Sequence, residues 1–228
     1  MKIGIISFAH MHALSYAQAL QELGEVEIAG IADENEARGR KYAEQFGTAF
    51  YADYNDLLEQ ELDGVIVTSE NAKHREHVIA AAKAGKHILC EKPLSTNVKD
   101  AQEMIDVCRE HGVLLQTAFP VRFHPAIRRA KQMIEEGRVG RILAVKGTNH
   151  GQNPGGWFVD PALSGGGGHG PYRSCGRSAA LDHGIGGPGG VCGSREPHIR
   201  ASDRRLRHRH HGICERGLCD ARLQLVAE

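Results

Sequence analysis

Lysine is absent from residues 169–228 of this 228-residue chain, although it is spread evenly over the part before them. Excess charge of either sign is absent too, since 28 lysines and arginines offset 28 aspartates and glutamates. A dedicated nucleic-acid binder carries a basic excess to neutralise phosphates, so the balance argues against a nucleic-acid partner. No apolar run approaches the roughly 20 residues that span a bilayer, which argues against a membrane partner. Aromatic residues make up only 5% of the chain, with a single tryptophan, yet a hydrophobic fraction of 41% is that of a globular protein. The chain opens directly on a strand-like Lys2-Ile3-Gly4-Ile5-Ile6, without the charged, apolar and cleavage regions of a secretory leader. Six cysteines with no C-x-x-C pair do not form a disulfide framework in a chain of this length. The expected setting is cytoplasmic.

Composition changes sharply near Gly168. Beyond it stand Arg173, Arg177, Arg195, Arg200, Arg204, Arg205, Arg207, Arg209, Arg216 and Arg222, with Cys175, Cys192, Cys214, Cys219 and dense glycine. No apolar period persists there, so residues 169–228 are expected to be an aberrant tail without a core of its own. Arg204-Arg205-Leu206-Arg207-His208-Arg209-His210-His211 has the composition of a basic arm, and His208, His210, His211, Cys214 and Cys219 have that of a metal cluster. Zero net charge opposes the first reading and the lack of paired zinc spacing opposes the second, so no metal site is assigned.

Before Gly168 the pattern is regular. Apolar strand-like runs at Lys2–Ser7, Val26–Ala32, Ala49–Tyr51, Gly64–Thr68, His87–Cys90 and Val113–Thr117 alternate with helical periods. Those periods cover the stretch to Leu23, then Glu34–Phe46, Tyr54–Leu62, Ala72–Ala84 and Val98–His111, several closed by glycine. Strand–helix alternation with short connections predicts an α/β fold, a doubly wound parallel sheet over residues 1–118. In such a sheet ligands bind beyond the carboxyl ends of the strands. The loops to watch are therefore Ser7 to His12, Asp33, Thr68 to Asn71, and Glu91 to Pro93.

The turn Ser7-Phe8-Ala9-His10-Met11-His12 stands where a dinucleotide-binding fold carries G-x-G-x-x-G, but none of the three glycines is present. Small Ser7 and Ala9 keep a close approach possible. Amides at the helix start would hold a phosphate with help from His10 or His12; the alternative is a plain helix entry with surface histidines. Asp33 ends the second strand, where an acidic residue grips the adenosine ribose, or else it caps the helix that begins at Glu34. The carboxylates of Asp33 and Glu34 together favour NAD over NADP. Cys90-Glu91-Lys92-Pro93 follows a buried strand. Its lysine is either a surface turn residue or one held beside a nicotinamide, with Glu91 tuning the ammonium.

These residues, taken in order, resemble the glucose–fructose oxidoreductase/inositol dehydrogenase (Gfo/Idh/MocA) family. The resemblance is carried by Thr68-Ser69-Glu70-Asn71 with His74, Ala84-Gly85-Lys86-His87 and Glu91-Lys92-Pro93. Arg122-Phe123 with Pro125, Gly137-Arg138-Val139-Gly140, the strand Arg141–Gly147, Trp157, Asp160-Pro161 and Gly165–Gly168 continue it. The resemblance implies a Rossmann domain that binds NAD(P), then the beginning of an α+β substrate domain at residues 119–168. It implies hydride transfer at a hydroxyl or carbonyl carbon of a sugar or cyclitol, and a homo-oligomer formed through the second domain in the intact form. Lys92 would be the active-site lysine. Ser7, Phe8, Ala9, His10, His12, Asp33, Thr68, Asn71, His74, Glu91 and Lys92 would contact the cofactor.

After Gly168 the family continues with Asp-x-x-x-His on a helix, where this chain reads His169-Gly170-Pro171-Tyr172-Arg173-Ser174-Cys175. Neither residue type has the needed spacing, and Gly170-Pro171 opposes a helix. Gly168 to Cys175 can be encoded GGC CAT GGA CCA TAC CGT TCA TGT. Dropping the first base gives GCC ATG GAC CAT ACC GTT CAT, which reads A-M-D-H-T-V-H and restores the motif. Continued through Gly184 the shifted frame permits V-V-D-L-L-R-W-I-T-G, and from Ile213 onward F-A-N-G-V-F-A-T-L. Only the middle base of each shifted codon is free, so such agreement indicates an extra base in the codons for Gly165–Gly168. As encoded, the chain is expected to be inactive or a non-catalytic dinucleotide-binding remnant.

Overall fold

The structure is a computed structural model that describes residues 1–149, 154–165 and 221–227. Six strands form one parallel sheet: β1 (Lys2–Ile6), β2 (Glu27–Ala32), β3 (Phe50–Tyr51), β4 (Gly64–Val67), β5 (His87–Glu91) and β6 (Leu115–Ala118). Their spatial order is β3-β2-β1-β4-β5-β6, the order of a doubly wound dinucleotide fold, with the direction of winding reversed between β1 and β4. The helices that connect them are α1 (His12–Glu22), α2 (Glu36–Phe46), α3 (Tyr54–Leu58), α4 (His74–Lys83) and α5 (Val98–Glu110).

Strand alternation divides the core between the two faces of the sheet. Ile5 and Ile31 pack with Phe8, Ala13 and Ala17 against Tyr42 and Phe46 of α2. Their strand neighbours Ile6 and Ala32 turn to the opposite face and join Leu57, Val65, Val67, Val78, Ala81, Ala82, Ile88, Met104 and Cys108. All four residues of β4 are buried, as a central parallel strand requires. Arg75 holds Glu103 with both arms of its guanidinium and ties α4 to α5.

Several element ends differ from the sequence expectation for local reasons. α2 begins at Glu36, because the Asn35 side chain accepts the Arg38 N–H and takes the capping position. α3 stops at Leu58, where Glu59 and Gln60 turn the chain back with bonds to Asn55 and Leu57. A 3-10 turn, Asn71–Lys73, precedes α4, and the final strand of the sheet starts at Leu115, after an exposed Leu114 whose N–H donates to His87 Nδ1.

The chain divides into two compact units, Met1–Pro120 with Pro154–Gly170, and Val121–Asn153 with Pro171–Glu228. The first therefore includes a strap expected to belong to the second domain. The strap holds a 3-10 turn, Gly156–Val159, and a short helical segment, Pro161–Ser164, joined to the sheet by contacts described below. In the second unit, α6 (Pro125–Glu135) starts from a His124 cap with Pro125 in its first turn. β7 (Ile142–Asn149) then pairs antiparallel with β8 (Ala221–Ala227). Residues Ala221–Ala227 of the tail thus supply one strand, in which Leu223 and Leu225 alternate with Arg222 and Gln224. The segment His169–Cys175, on which the reading-frame argument turns, lies outside the described residues. Among the described residues no helix is long and apolar enough to cross a membrane.

Gly39 sits where α2 crosses the sheet, and a Cβ there would meet the Phe50 ring and, at 2.9 Å, the Cβ of Asp33. Helix propensity alone favours alanine over glycine by about 1 kcal/mol. The close crossing reverses that sign: Gly39→Ala is expected to destabilise the fold by about 1–3 kcal/mol, read from the urea midpoint.

Candidate dinucleotide site

The carboxyl ends of β1 and β4 are tied together at the winding reversal. The Thr68 hydroxyl donates to the Ser7 carbonyl at 2.6 Å, and the Thr68 carbonyl accepts the His10 N–H at 2.9 Å. Ser7 has φ of 69°, the left-handed conformation that a fingerprint glycine would adopt without strain. Its hydroxyl accepts the Ala9 N–H at 3.1 Å and so offsets part of that cost locally. The turn consumes most of its own amides: Ser7 donates to Ala32, Phe8 to Asp33, His12 to His10 Nδ1 and Ala13 to the His10 carbonyl. In this run the Met11 amide is left to offer, beside the half-exposed His12 ring. The Phe8 ring stacks on Tyr42, 4.3 Å between centroids, and faces the core.

At the end of β2, Asp33 is buried and accepts from the amides of Phe8 and Asn35 and from both arms of Arg38. The helix cap is Asn35, so the capping alternative for Asp33 does not hold. A cleft beside it is lined by Ser7, Asp33, Glu34, Arg38, Tyr54, Glu70, Lys73 and His77, among others. Lys73 pairs with Glu34 and Glu70 across its rim. Below, Ser69 Oγ meets His77 Nδ1 at 2.9 Å, and burial lowers His77 to a pKa of about 4.

The second half of the site surrounds Glu91, which is fully buried at the end of β5. Tyr16 donates to its Oε2, His12 Nδ1 lies 3.3 Å from Oε1, and Lys92 Nζ and His10 Nε2 each stand 3.9 Å from Oε1. Burial alone would raise the carboxyl pKa, but the hydrogen bonds from His12 and the Tyr16 hydroxyl bring it below the usual value. His10 is itself lowered to about 3, because burial outweighs the attraction of Glu91.

His10, His12 and Glu91 place potential metal-ligand atoms within 4.8 Å of one another. The tautomer decides against that use. His10 Nδ1 accepts the His12 N–H, so a neutral His10 carries its proton on Nε2, the atom turned to Glu91, where a metal would need a lone pair. The trio is a carboxylate wrapped in donors.

His74, fully buried, faces the carbonyls of Pro93 and Ser69 with its two ring nitrogens, at 2.9 and 3.2 Å, and so braces the lysine turn against the β4 loop. Asn71 Nδ2 donates to the Ser164 carbonyl at 2.9 Å, while its buried Oδ1 has no partner, the single such side-chain atom among the described residues. The Trp157 indole donates to the Ala9 carbonyl at 3.1 Å, and Phe158 packs edge-on to His10. These two bonds hold the strap across the turn.

The structure thus gathers Ser7, Phe8, Ala9, His10, His12, Thr68, Asn71, His74, Glu91 and Lys92 at the ends of β1, β4 and β5, with Asp33 joined through the Phe8 amide. Sequence reasoning missed Tyr16, Arg38, Trp157 and Ser164. Tyr16 lies four residues after His12, one helical turn away on the same face, and that spacing was the available signal.

A parallel sheet in this order, with a reversal flanked by an acidic strand end, a lysine turn and an orphaned buried acceptor, defines a Rossmann-type nucleotide-binding protein. Residues 1–119 match the model of the Gfo/Idh/MocA oxidoreductase family, NAD-binding Rossmann fold, and the chain belongs to that family. It is 33% identical over 174 residues to a myo-inositol 2-dehydrogenase of Thermotoga maritima, covering 72% of this chain and 52% of that one. It is 35% identical over 171 residues to a D-xylose 1-dehydrogenase (NADP(+)) of Haloferax volcanii, covering 73% and 52%. A solved levoglucosan dehydrogenase in complex with NADH and levoglucosan superposes with a TM-score of 0.72 at 26% identity, covering 79% of this chain and 53% of that one. The chain spans about half the length of the curated relatives it matches.

Two measurements follow from this geometry. His10 and His77 are held neutral with pKa values of about 3 and 4, below the 6.5 of an unfolded histidine. Below pH 6.5 the unfolded chain takes up protons that the folded chain refuses, so stability present at neutral pH is lost as the pH falls. The loss is expected to reach about 1.4 kcal/mol per pH unit for each histidine, and His77→Gln should lessen the slope between pH 6.5 and 4.5. Ser7→Gly removes the left-handed strain and frees the Ala9 amide. It is expected to raise stability by about 1 kcal/mol and to tighten NADH binding in a fluorescence titration.

Proposed function

We propose that this chain is the dinucleotide-binding part of an NAD(P)-dependent dehydrogenase that transfers a hydride between nicotinamide and a hydroxyl or carbonyl carbon of a sugar or cyclitol. The observation that carries the reading is Lys92, held at the sheet's carboxyl edge beside buried Glu91, with the unsatisfied Asn71 Oδ1 in the neighbouring β4 loop. That orphaned acceptor and the Asp33 carboxylate fit a ligand rich in ribose hydroxyls and a carboxamide. Asp33 would serve the adenosine end, the Ser7–His12 turn the pyrophosphate, and Thr68, Asn71, His74, Glu91 and Lys92 the nicotinamide end.

Bound nicotinamide supplies the two-electron hydride acceptor or donor. The Lys92 ammonium would hydrogen-bond the reacting oxygen and polarise it, while Glu91, 3.9 Å from Nζ, holds that ammonium in place. Oxidation of an alcohol also releases the hydroxyl proton, and residues 168–175 hold no Asp-x-x-x-His to take it. We attribute that gap to one extra base in the codons for Gly165–Gly168. The second reading, favoured by the same gap, is a remnant that binds dinucleotide without catalysis.

The test has two parts. The encoded chain should bind NADH, read by energy transfer from Trp157, its one tryptophan, and turn over no polyol. The product of the same gene with one base removed should oxidise a member of a sugar and cyclitol panel with NAD or NADP. A restored frame without activity on any member would leave the binding remnant as the correct reading.

A further inference from the structure

The first turn of the site has little main chain left to give. Of the seven amides from Ser7 to Ala13, six already donate. Ser7 donates to Ala32 O, Phe8 to Asp33 Oδ2, Ala9 to Ser7 Oγ, His10 to Thr68 O, His12 to His10 Nδ1 and Ala13 to His10 O. A pyrophosphate diester brings two negative charges, which open amides at a helix start ordinarily meet. Here that set is reduced to Met11 N–H. The remaining positive charge has to come from a side chain.

His12 is placed to supply it. It stands at the position of the third fingerprint glycine, in the first turn of α1, where the helix dipole also favours an anion. Its side chain is 35% exposed, whereas the Glu91 carboxylate against it is fully buried. Glu91 has a carboxyl pKa below the usual value despite that burial, so it is an acceptor. The His12 Nδ1, 3.3 Å from Glu91 Oε1, therefore carries the ring proton. In the neutral ring this leaves a lone pair on Nε2, which would repel a phosphate oxygen. A second proton there turns the same nitrogen into a charged donor.

The groups that surround His12 leave it as the seat of that proton. His10 spends its Nδ1 on the His12 amide, and burial lowers its pKa to about 3, so it stays neutral. Tyr16 donates to Glu91 Oε2, and burial followed by the Glu91 charge pushes its pKa up, so it keeps its proton. Lys92 brings its ammonium to the Glu91 oxygen that faces His12, 3.9 Å away. In the neighbouring β4 loop the buried Asn71 Oδ1 has no partner, which independently marks this strand edge as the seat of a ligand.

We propose that His12, as an imidazolium held between Glu91 and the pyrophosphate, replaces the amides this turn has spent, so that dinucleotide binding is linked to proton uptake. Nδ1 donates to Glu91 and Nε2 to a pyrophosphate oxygen. The dianion stabilises the protonated ring, the bound state holds more protons than the free one, and affinity rises as the pH falls. The proposal rests on the reading of this site as a dinucleotide site.

The experiment is calorimetric titration of the full encoded chain with NADH, in two buffers of unlike ionisation heat, from pH 6.5 to 8.5. The difference between buffers gives the protons taken up, and no turnover is required. Uptake of up to about one proton is expected, with Kd weakening by up to about tenfold per pH unit toward the alkaline end. ADP-ribose, which keeps the pyrophosphate and lacks the nicotinamide, should show the same uptake. His12→Gln should bind about tenfold more weakly at pH 6.5, with no uptake and a flat pH profile. His12→Lys, charged throughout this range, should hold its affinity across the range without uptake. Wild-type binding with neither uptake nor pH dependence, or uptake that survives in both variants, overturns the proposal and leaves the dinucleotide reading standing. Uptake with NADH but none with ADP-ribose takes the proton away from the pyrophosphate and overturns it as well. Failure of a cooperatively melting wild-type chain to bind either ligand overturns the dinucleotide reading, and this proposal with it.

Discussion

Parallel strands bring all their carboxyl ends to one edge, and the reversal of winding between β1 and β4 parts the connections that would otherwise cover that edge. Everything functional in the first unit follows from this gap. The backbone groups that emerge into it have no neighbouring strand, so they must find partners among the loops. The Ser7 turn finds them in Thr68, Asp33 and its own side chains. A turn of Gly-x-Gly-x-x-Gly leaves its amides open for a phosphate. This one spends most of them internally and leaves the Met11 N–H open beside the His12 ring.

Two carboxylates held out of water organise what remains. Asp33 and Glu91 are each costly to bury and are each surrounded by donors from several elements. Asp33 draws in β1 and α2; Glu91 draws in α1 through His12 and Tyr16. Removal of any one donor would leave a buried charge short of a partner, which is why such networks hold geometry more firmly than they add stability. The neutral histidines have the complementary role. His10, His74 and His77 sit where an apolar side chain would fit but a backbone or hydroxyl group also needs a partner.

Most of the fold was legible because each strand carries its burial in its own letters. Gly64-Val65-Ile66-Val67 reads as a central strand without context, and the glycines after the helices mark their ends. The strand ends also named Asp33, Asn71 and Lys92 by position. Arg38 was not legible, because it reaches Asp33 only after Asn35 has started the helix and fixed its phase. The strap was not legible either. Trp157 to Ala9 and Asn71 to Ser164 join residues 148 and 93 positions apart, which no local period records. Its composition resembles a domain entry, and only the bonds assign it to the first unit.

That assignment bears on what a broken reading frame would leave behind. The described part of the strap runs to Gly165, at the start of the glycine run where the extra base is inferred. Every described bond that closes the dinucleotide site is made by residues before that point. On the proposed function, binding would depend on β1, β2, β4, β5 and the strap, and proton transfer on residues beyond it. A frame error at this position would spare the site that orients a cofactor and remove the group that accepts the substrate's proton. On the proposed function one codon would divide the two activities, because the residues that carry them lie on either side of it in the sequence.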